Sequence, residues 1–542
     1  MYLLQWRCIR RIPVAALCLL LLAAIVRPPA CIGLTSPMPL NEIPDGMTAW
    51  DWQAFIHRHT LDGYSSVAAE VNANTVQTFN AIRSVSGTAL HPVAVCCDGC
   101  SVVVILLKQK NPVPGNITFT LSGPSGGFPA TGSLSSEFPG LPAPQAAVAG
   151  ETSVVSVASS PYTVVFYRPP ASYLSASNGS AMSSNGWPSI TIIATSSTGA
   201  VLGTASLTLR PPPVLLVHGL NSGPGTWGYP PAPGALPNSS AYSFFTNLDV
   251  NASEEIGVAD YSSQNTSGLA TVMPMVLENL RSLIEDSRGS YIEDTQADAV
   301  CHSYGGLICK CLAENAQDLS VGRPAGFPTF VWSASYGGPG TPDNHYFRDD
   351  NDDRGYFDRV VTLGSPLDGS PVASVLMGTL ASNYGAGGYG DLKDLMLAAG
   401  LVGNGDALSD LATQNAVIQA LAARPAVQWR PILTLFTPGT QQQLDNDLAG
   451  GYWIAADLIK NSGIQWSKLG LTPTTSDGVV PLESQSDSDY ANDVAPKVPF
   501  IDGLFHTQEP GSQTVWSDAA DLLELDNTGA VSGDYTMFKP SF

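Results

Sequence analysis

Two patterns of apolar and polar positions divide the chain. Between residues 91 and 210, short runs rich in β-branched and aromatic residues alternate with clusters of Gly, Pro and Ser. The runs fall at 102–107, 117–121, 153–157, 162–167, 189–194 and 201–209. Short strands at this spacing predict a β-sandwich of immunoglobulin-like type. Pro211, Pro212 and Pro213 then read as a stiff junction. From 214 onward the pattern changes. The run 214–217 is apolar throughout, as in a strand covered on both faces. Leu269, Val272, Val276, Leu277, Leu280, Leu283 and Ile284 recur at helical spacing. Further strand-like runs lie at 297–301, 360–363, 432–436 and 498–504, with a helix-like run at 307–319. Strands alternating with helices predict an α/β domain with a mostly parallel sheet. The expected division is an N-terminal segment 1–30, a leader 31–90, a sandwich 91–210 and an α/β domain 211–542. Helices are expected in the leader at 50–60 and 67–82.

The first 30 residues read as an export signal. Arg7, Arg10 and Arg11 precede an apolar run, 12–26, that has the size of a signal-peptide core and is short for a membrane span. The expectation is a secreted or cell-surface protein. Charged residues make up only 13% of the 542 and the net charge is −22, which argues against a nucleic-acid partner. It equally opposes electrostatic docking on anionic membranes, so any contact with lipid would be apolar. Cys96, Cys97 and Cys100 lack a second ligand pair at zinc-finger spacing, so a local disulfide or buried thiols are expected there. The acidic run 349–353 lacks the glycine and glutamate of a calcium loop and reads as solvated.

The chemistry concentrates at Cys301-His302-Ser303-Tyr304-Gly305-Gly306, between a strand-like and a helix-like run. That is the setting of a nucleophile elbow, a serine on a tight strand-to-helix turn. Gly305 removes a Cβ where the turn approaches the strand. The usual glycine two residues before the serine is here Cys301. Serine is a weak nucleophile at neutral pH and needs an imidazole to take its proton, held in turn by a buried carboxylate. Of seven histidines only His345 and His506 follow Ser303. His345 lies too early, before the 360–363 strand, whereas His506 follows the expected last strand. His302, beside the serine, reads as structural. Asp477, next to an apolar run and followed by Gly478, is the preferred acid over Asp457, Asp487, Asp489 and Asp493. The oxyanion hole is assigned to the backbone amides of Leu220 and Tyr304, with His218 bracing the first loop.

Five segments in order carry a resemblance: 215–220 (LLVHGL), 301–306 (CHSYGG), 361–366 (VTLGSP), 477–482 (DGVVPL) and the late His506. Together they resemble the lipase/esterase branch of the α/β-hydrolase superfamily, including bacterial triacylglycerol lipases, lecithin–cholesterol acyltransferase-like and GPI inositol-deacylase-like proteins. The resemblance implies a serine carboxylic-ester hydrolase acting through an acyl-enzyme on lipid or other ester substrates, without cofactor. It leaves two alternatives: an acyltransferase or phospholipid deacylase on the same site, or a non-catalytic surface protein with a degenerate hydrolase domain. Calcium-binding members carry an aspartate two residues after the histidine. Here that residue is Gln508, so no metal is assigned. The segment 366–428 matches the place where such enzymes insert a lid. Its apolar run 392–402 between glycine clusters suits a mobile lid facing a lipid–water interface, or equally a fixed cap helix. No protein partner is predicted.

Overall fold

The structure is a computed structural model. It describes residues 45–51, 91–123, 131–136, 154–170, 187–248, 255–315, 355–374, 406–412, 428–435, 476–486 and 500–523, with short gaps inside several of these ranges. The export signal, the expected helix at 67–82, His345, the acidic run 349–353 and the apolar run 392–402 lie outside the described residues.

The N-terminal part contains β1 (Gly46–Asp51), β2 (Ala94–Cys96), β3 (Val103–Lys108), β4 (Asn116–Ser122), β5 (Ser133–Ser135), β6 (Val154–Ala158), β7 (Tyr162–Arg168), β8 (Ser189–Ser196) and β9 (Val201–Arg210). An antiparallel sheet runs β1-β3-β7-β5. A second sheet contains β2-β9-β8-β4-β6. Val103, Ile105, Leu107, Val165 and Tyr167 of the first share one core with Ile117, Phe119, Ile190, Ile192 and Leu207 of the second. The alternation along β8, buried at every second residue, is what period-2 side-chain geometry requires of such a strand. Trp50 and Asp51 end β1 rather than beginning a helix. Trp50 is fully buried and its strand pairs along the whole of β3, so tertiary pairing overrides the local pattern.

The second part contains β10 (Val214–Val217), α1 (Ala241–Leu248), β11 (Ile256–Val258), α2 (Leu269–Gly289), β12 (Ile292–Glu293), β13 (Ala297–His302), α3 (Tyr304–Asn315), β14 (Phe357–Leu363), α4 (Asp406–Asp410), β15 (Gln428–Leu435), α5 (Leu482–Ser486), β16 (Phe500–Asp502) and α6 (Gln513–Leu522). One parallel sheet runs β11-β10-β13-β14-β15-β16. Every residue of β10, β13 and β14 is buried. Helices cover both faces. Leu215, Val217, Ala299 and Cys301 pack against α2 and α3, while Val214, Leu216, Val300 and Val361 pack against α1 and α6. Pro274 inside α2 removes a backbone donor, at a cost of about 3 kcal/mol. Leu269, Val272, Met273, Val276, Leu277, Leu280, Leu283 and Ile284 are buried on the same helix and contribute about 1.5–3 kcal/mol each, so burial decides the element. No helix among the described residues is long and apolar enough to cross a membrane.

The two parts are interleaved. β12 lies between α2 and β13 in the chain, yet it extends the second sheet as a parallel partner of β2. Arg288 of α2 donates to both carboxylate oxygens of Asp51 on β1, at 2.6 and 2.5 Å, and lies 3.7 Å from Glu293. All three side chains are buried. Asp98 meets Thr295 in the same seam at 3.2 Å. Removing one partner of a buried pair leaves a charge without its match. We therefore expect Asp51→Ala to cost about 3 kcal/mol, tempered by Glu293, and the double variant with Arg288→Met to recover part of that loss. Urea denaturation of the single and double variants measures both; additive losses would contradict the coupling.

Candidate active site

The site sits at the C-terminal edge of the parallel sheet, where β10, β13, β14 and the chain after β16 all end. β13 turns directly into α3 at Ser303, which has φ +55, a left-handed backbone that few side chains adopt. The turn is held by Ser303 N–H to Leu363 O at 2.9 Å and Gly306 N–H to Ser303 O at 3.1 Å. It also passes very close to β10. A Cβ on Gly305 would lie 2.6 Å from His218 O and 2.7 Å from Val217 O, so only glycine fits. Cys301, two residues before the serine, points into the buried core with its sulfur 3.3 Å from that of Cys309. The usual glycine is thus replaced without intrusion on the turn. Cys96, Cys97, Cys100, Cys301, Cys309 and Cys311 are buried thiols, and no disulfide joins them.

Ser303, His506 and Asp477 meet across more than 200 residues of chain. His506 Nε2 is 2.9 Å from Ser303 Oγ, and its Nδ1 is 2.8 Å from Asp477 Oδ2. An ionised carboxylate only accepts, so Nδ1 carries the proton and Nε2 is the acceptor for the serine hydroxyl. Asp477 is fully buried. Its Oδ1 takes the amides of Val479 and Val480 at 2.8 and 2.7 Å, which leaves Oδ2 for the imidazole. His506 N–H donates to Asp477 O at 3.0 Å, a backbone bond that fixes the two segments together.

Three further groups frame these residues. His302 donates from Nε2 to His506 O at 2.9 Å, and burial, reinforced by the charge of His506, holds its pKa well below the usual imidazole range. It is therefore neutral. His218 stacks on Tyr261 with ring centroids 3.9 Å apart and bonds Gly219 O at 3.0 Å, while Tyr261 OH donates to His218 O. Desolvation lowers the His218 pKa as well. This clamp carries the loop through Gly219, where a Cβ would lie 2.9 Å from Ser303 Cβ, and on to Leu220. Tyr304 opens α3, so its amide belongs to the helix's first turn, which has no intrahelical acceptor. Its buried side chain reaches Asp410 at 3.3 Å. Asp410 also caps α2, accepting from Leu269 N–H at 2.7 Å.

Sequence reasoning missed Glu509 and Asp410. Glu509 is fully buried with Oε2 3.4 Å from His302 Nε2 and 3.9 Å from His506 Nδ1. The only hint in the sequence is its position three residues after His506, on the same turn (His506–Gly511). Asp410 lies about 100 residues from Tyr304 in sequence and carries no local signature. His302, His506 and Glu509 offer three donor atoms within 4.8 Å of one another, the spacing of a metal site. Both ring nitrogens of His506 are already engaged with Ser303 and Asp477, so a metal would compete with those bonds. Gln508 is exposed.

No family model and no curated protein matches the chain. Among solved structures the chain is similar to lipases. It resembles Bacillus licheniformis lipase BlEst2 in mature form at 15% identity, covering 58% of this chain and 91% of that one, with a TM-score of 0.34. Staphylococcus hyicus lipase matches at 13% identity over 58% and 96% of the two chains, TM-score 0.34. Lipase 1 from Pelosinus fermentans matches at 16% over 58% and 97%, TM-score 0.32. These likenesses are too distant to decide a family, and the site is read from its own residues.

Two outcomes follow from the geometry. Gly364 has φ +51, and a Cβ there would strike Glu509 Oε2 and approach His506 Nδ1 and Asp477 Oδ2 to 2.7 and 2.8 Å. Gly364→Ala is expected to lower the rate at which Ser303 reacts with a fluorophosphonate probe at least ~10-fold while the protein remains folded by circular dichroism, because small displacements of a reacting group are costly. The second outcome concerns pH. His302 and His218 are held neutral in the fold, with pKa values below the unfolded value of about 6.5. Their contribution to stability is present above about pH 6.5 and is lost as pH falls below it, at up to ~1.4 kcal/mol per pH unit for each group. Urea denaturation at pH 7.5 and 5.5 tests this; equal stability at the two would show that the imidazoles charge freely in the folded state.

Proposed function

We propose that the protein is a serine carboxylic-ester hydrolase of the lipase type. One observation carries the reading: a single imidazole bonded to the hydroxyl of a left-handed serine on one side and to a buried carboxylate on the other, at 2.9 and 2.8 Å. Ser303 Oγ attacks the ester carbonyl as His506 Nε2 takes its proton. Asp477 holds His506 in the Nδ1–H tautomer and stabilises the imidazolium that forms. The amides of Leu220 and Tyr304 bind the oxyanion, each worth ~10²–10³ in rate. His506 then protonates the departing alkoxide, leaving Ser303 acylated. Water, deprotonated by the same imidazole, releases the acid and restores the hydroxyl.

Lipid or other ester substrates are the proposed class. The class follows from the chemistry of the site, in which a serine hydroxyl bonded to an imidazole is suited to attack an ester carbonyl. We further propose that residues 1–30 direct export, that the protein works outside the cytoplasm, and that the two sheets of the N-terminal part form an immunoglobulin-like sandwich.

Labelling with a fluorophosphonate probe, paired with p-nitrophenyl ester hydrolysis, tests the proposal. Wild type is expected to label and turn over. Ser303→Ala should not label and should lose ~10⁴-fold or more in kcat. Absence of labelling in folded wild type would point to a non-catalytic surface protein. Transfer of the acyl group to an added alcohol in preference to water would point to an acyltransferase.

A further inference from the structure

The catalytic histidine lies beside two buried carboxylates. Asp477 bonds its Nδ1 directly. Glu509 Oε2 stands 3.9 Å from the same nitrogen and 3.4 Å from Nε2 of His302. Glu509 is fully buried on the turn His506–Gly511, and burying a carboxylate is unfavourable unless polar or charged groups meet it. The turn is fixed at its C-terminal end. Ser512 N–H donates to Glu509 O at 3.2 Å, and Trp516 Nε1 donates to Pro510 O at 2.8 Å. Gly364 completes the arrangement. Glu509 Oε2, His506 Nδ1 and Asp477 Oδ2 converge on the space its missing Cβ would fill.

We propose that Glu509 is a positioning residue of the hydrolase, bridging His302 and His506 and stabilising the imidazolium that His506 becomes as Ser303 attacks. The inference rests on the reading of Ser303 as the nucleophile. His302 is neutral, so its Nε2–H is a dipole between His506 O and the Glu509 carboxylate rather than a second charge. In this proposal the Glu509 carboxylate is the negative neighbour of His506, 3.9 Å from its Nδ1. Among the described residues, the groups facing His506 are Asp477 from the chain before α5, His302 and Ser303 from the end of β13, and Glu509 from its own turn. His218, on the loop after β10, acts on His302.

A negative neighbour favours the charged imidazole. Removing it lets the neutral, proton-accepting form persist to lower pH and makes the imidazolium of the transition state harder to form. Two effects are therefore expected of Glu509→Gln, which keeps the shape and deletes the charge. The acid limb of the rate profile moves down by ~0.5–1 pH unit, and the plateau falls ~5–20-fold. A residue that merely fills space would leave the acid limb where it is.

The measurement is the second-order rate of fluorophosphonate labelling of the full-length chain between pH 4.5 and 9, which reads the proton-accepting state of His506 without a substrate. A downward shift of the limb with a lower plateau supports the bridge. An unchanged limb with an unchanged plateau in a folded Glu509→Gln protein overturns it. Should the Gln variant fail to fold, Glu509→Asp decides. It keeps the charge but draws it back, so the limb should stay near that of wild type while the plateau falls several-fold; a wild-type plateau overturns the proposal. Failure of wild type to label would remove the hydrolase reading and this inference together, whereas normal wild-type labelling with an indifferent Glu509 removes the inference alone.

Discussion

The left-handed turn at Ser303 is the constraint on which the rest of the site depends. A φ of +55 at a residue with a side chain is unfavourable, and it persists only because the surroundings fix it. Ser303 N–H is tied to Leu363 O of the neighbouring strand, and Gly305 lets α3 start directly against the carbonyls of β10. The consequence is directional. The hydroxyl is lifted off the sheet edge to within 2.9 Å of His506 Nε2, and α3 begins at the next residue, Tyr304.

The second organising feature is the number of charges kept inside. Asp477 is stabilised by two amides and one imidazole, Asp51 by Arg288, and Glu255 by Arg210. Each is a case in which a buried carboxylate needs its full set of partners. At the sheet edge that holds Ser303 this need fixes one tautomer of one ring. At the seam between the two parts it fixes the position of α2 relative to β1, while β12 joins the second sheet by backbone bonds. The N-terminal sheets therefore share hydrogen-bonded structure with the α/β part instead of hanging from a linker at Pro211–Pro213.

Much of the local structure was legible from residue pattern. The all-apolar 214–217 run is a strand with both faces covered, and the helical spacing from Leu269 to Ile284 marks α2 despite Pro274. The serine on its turn could be singled out because the turn demands small residues nearby. Trp50 was misread as helical, because pairing with β3 is invisible in a short window. The merging of β12 with β2 was equally hidden, since two residues carry no periodicity.

The sequence alone determined the change from strand-rich to alternating strand and helix pattern at 214 and offered a candidate nucleophile, a late histidine and a nearby acid, because period, turn chemistry and a short list of histidines are local or countable properties. Which groups touch was decided by the tertiary structure. The neutral state of His302, the place of Glu509 between two imidazoles and the reach of Asp410 to both Tyr304 and α2 depend on distances between segments far apart in the chain. Burial and electrostatics act through space, and only the folded sheet edge brings those segments within range.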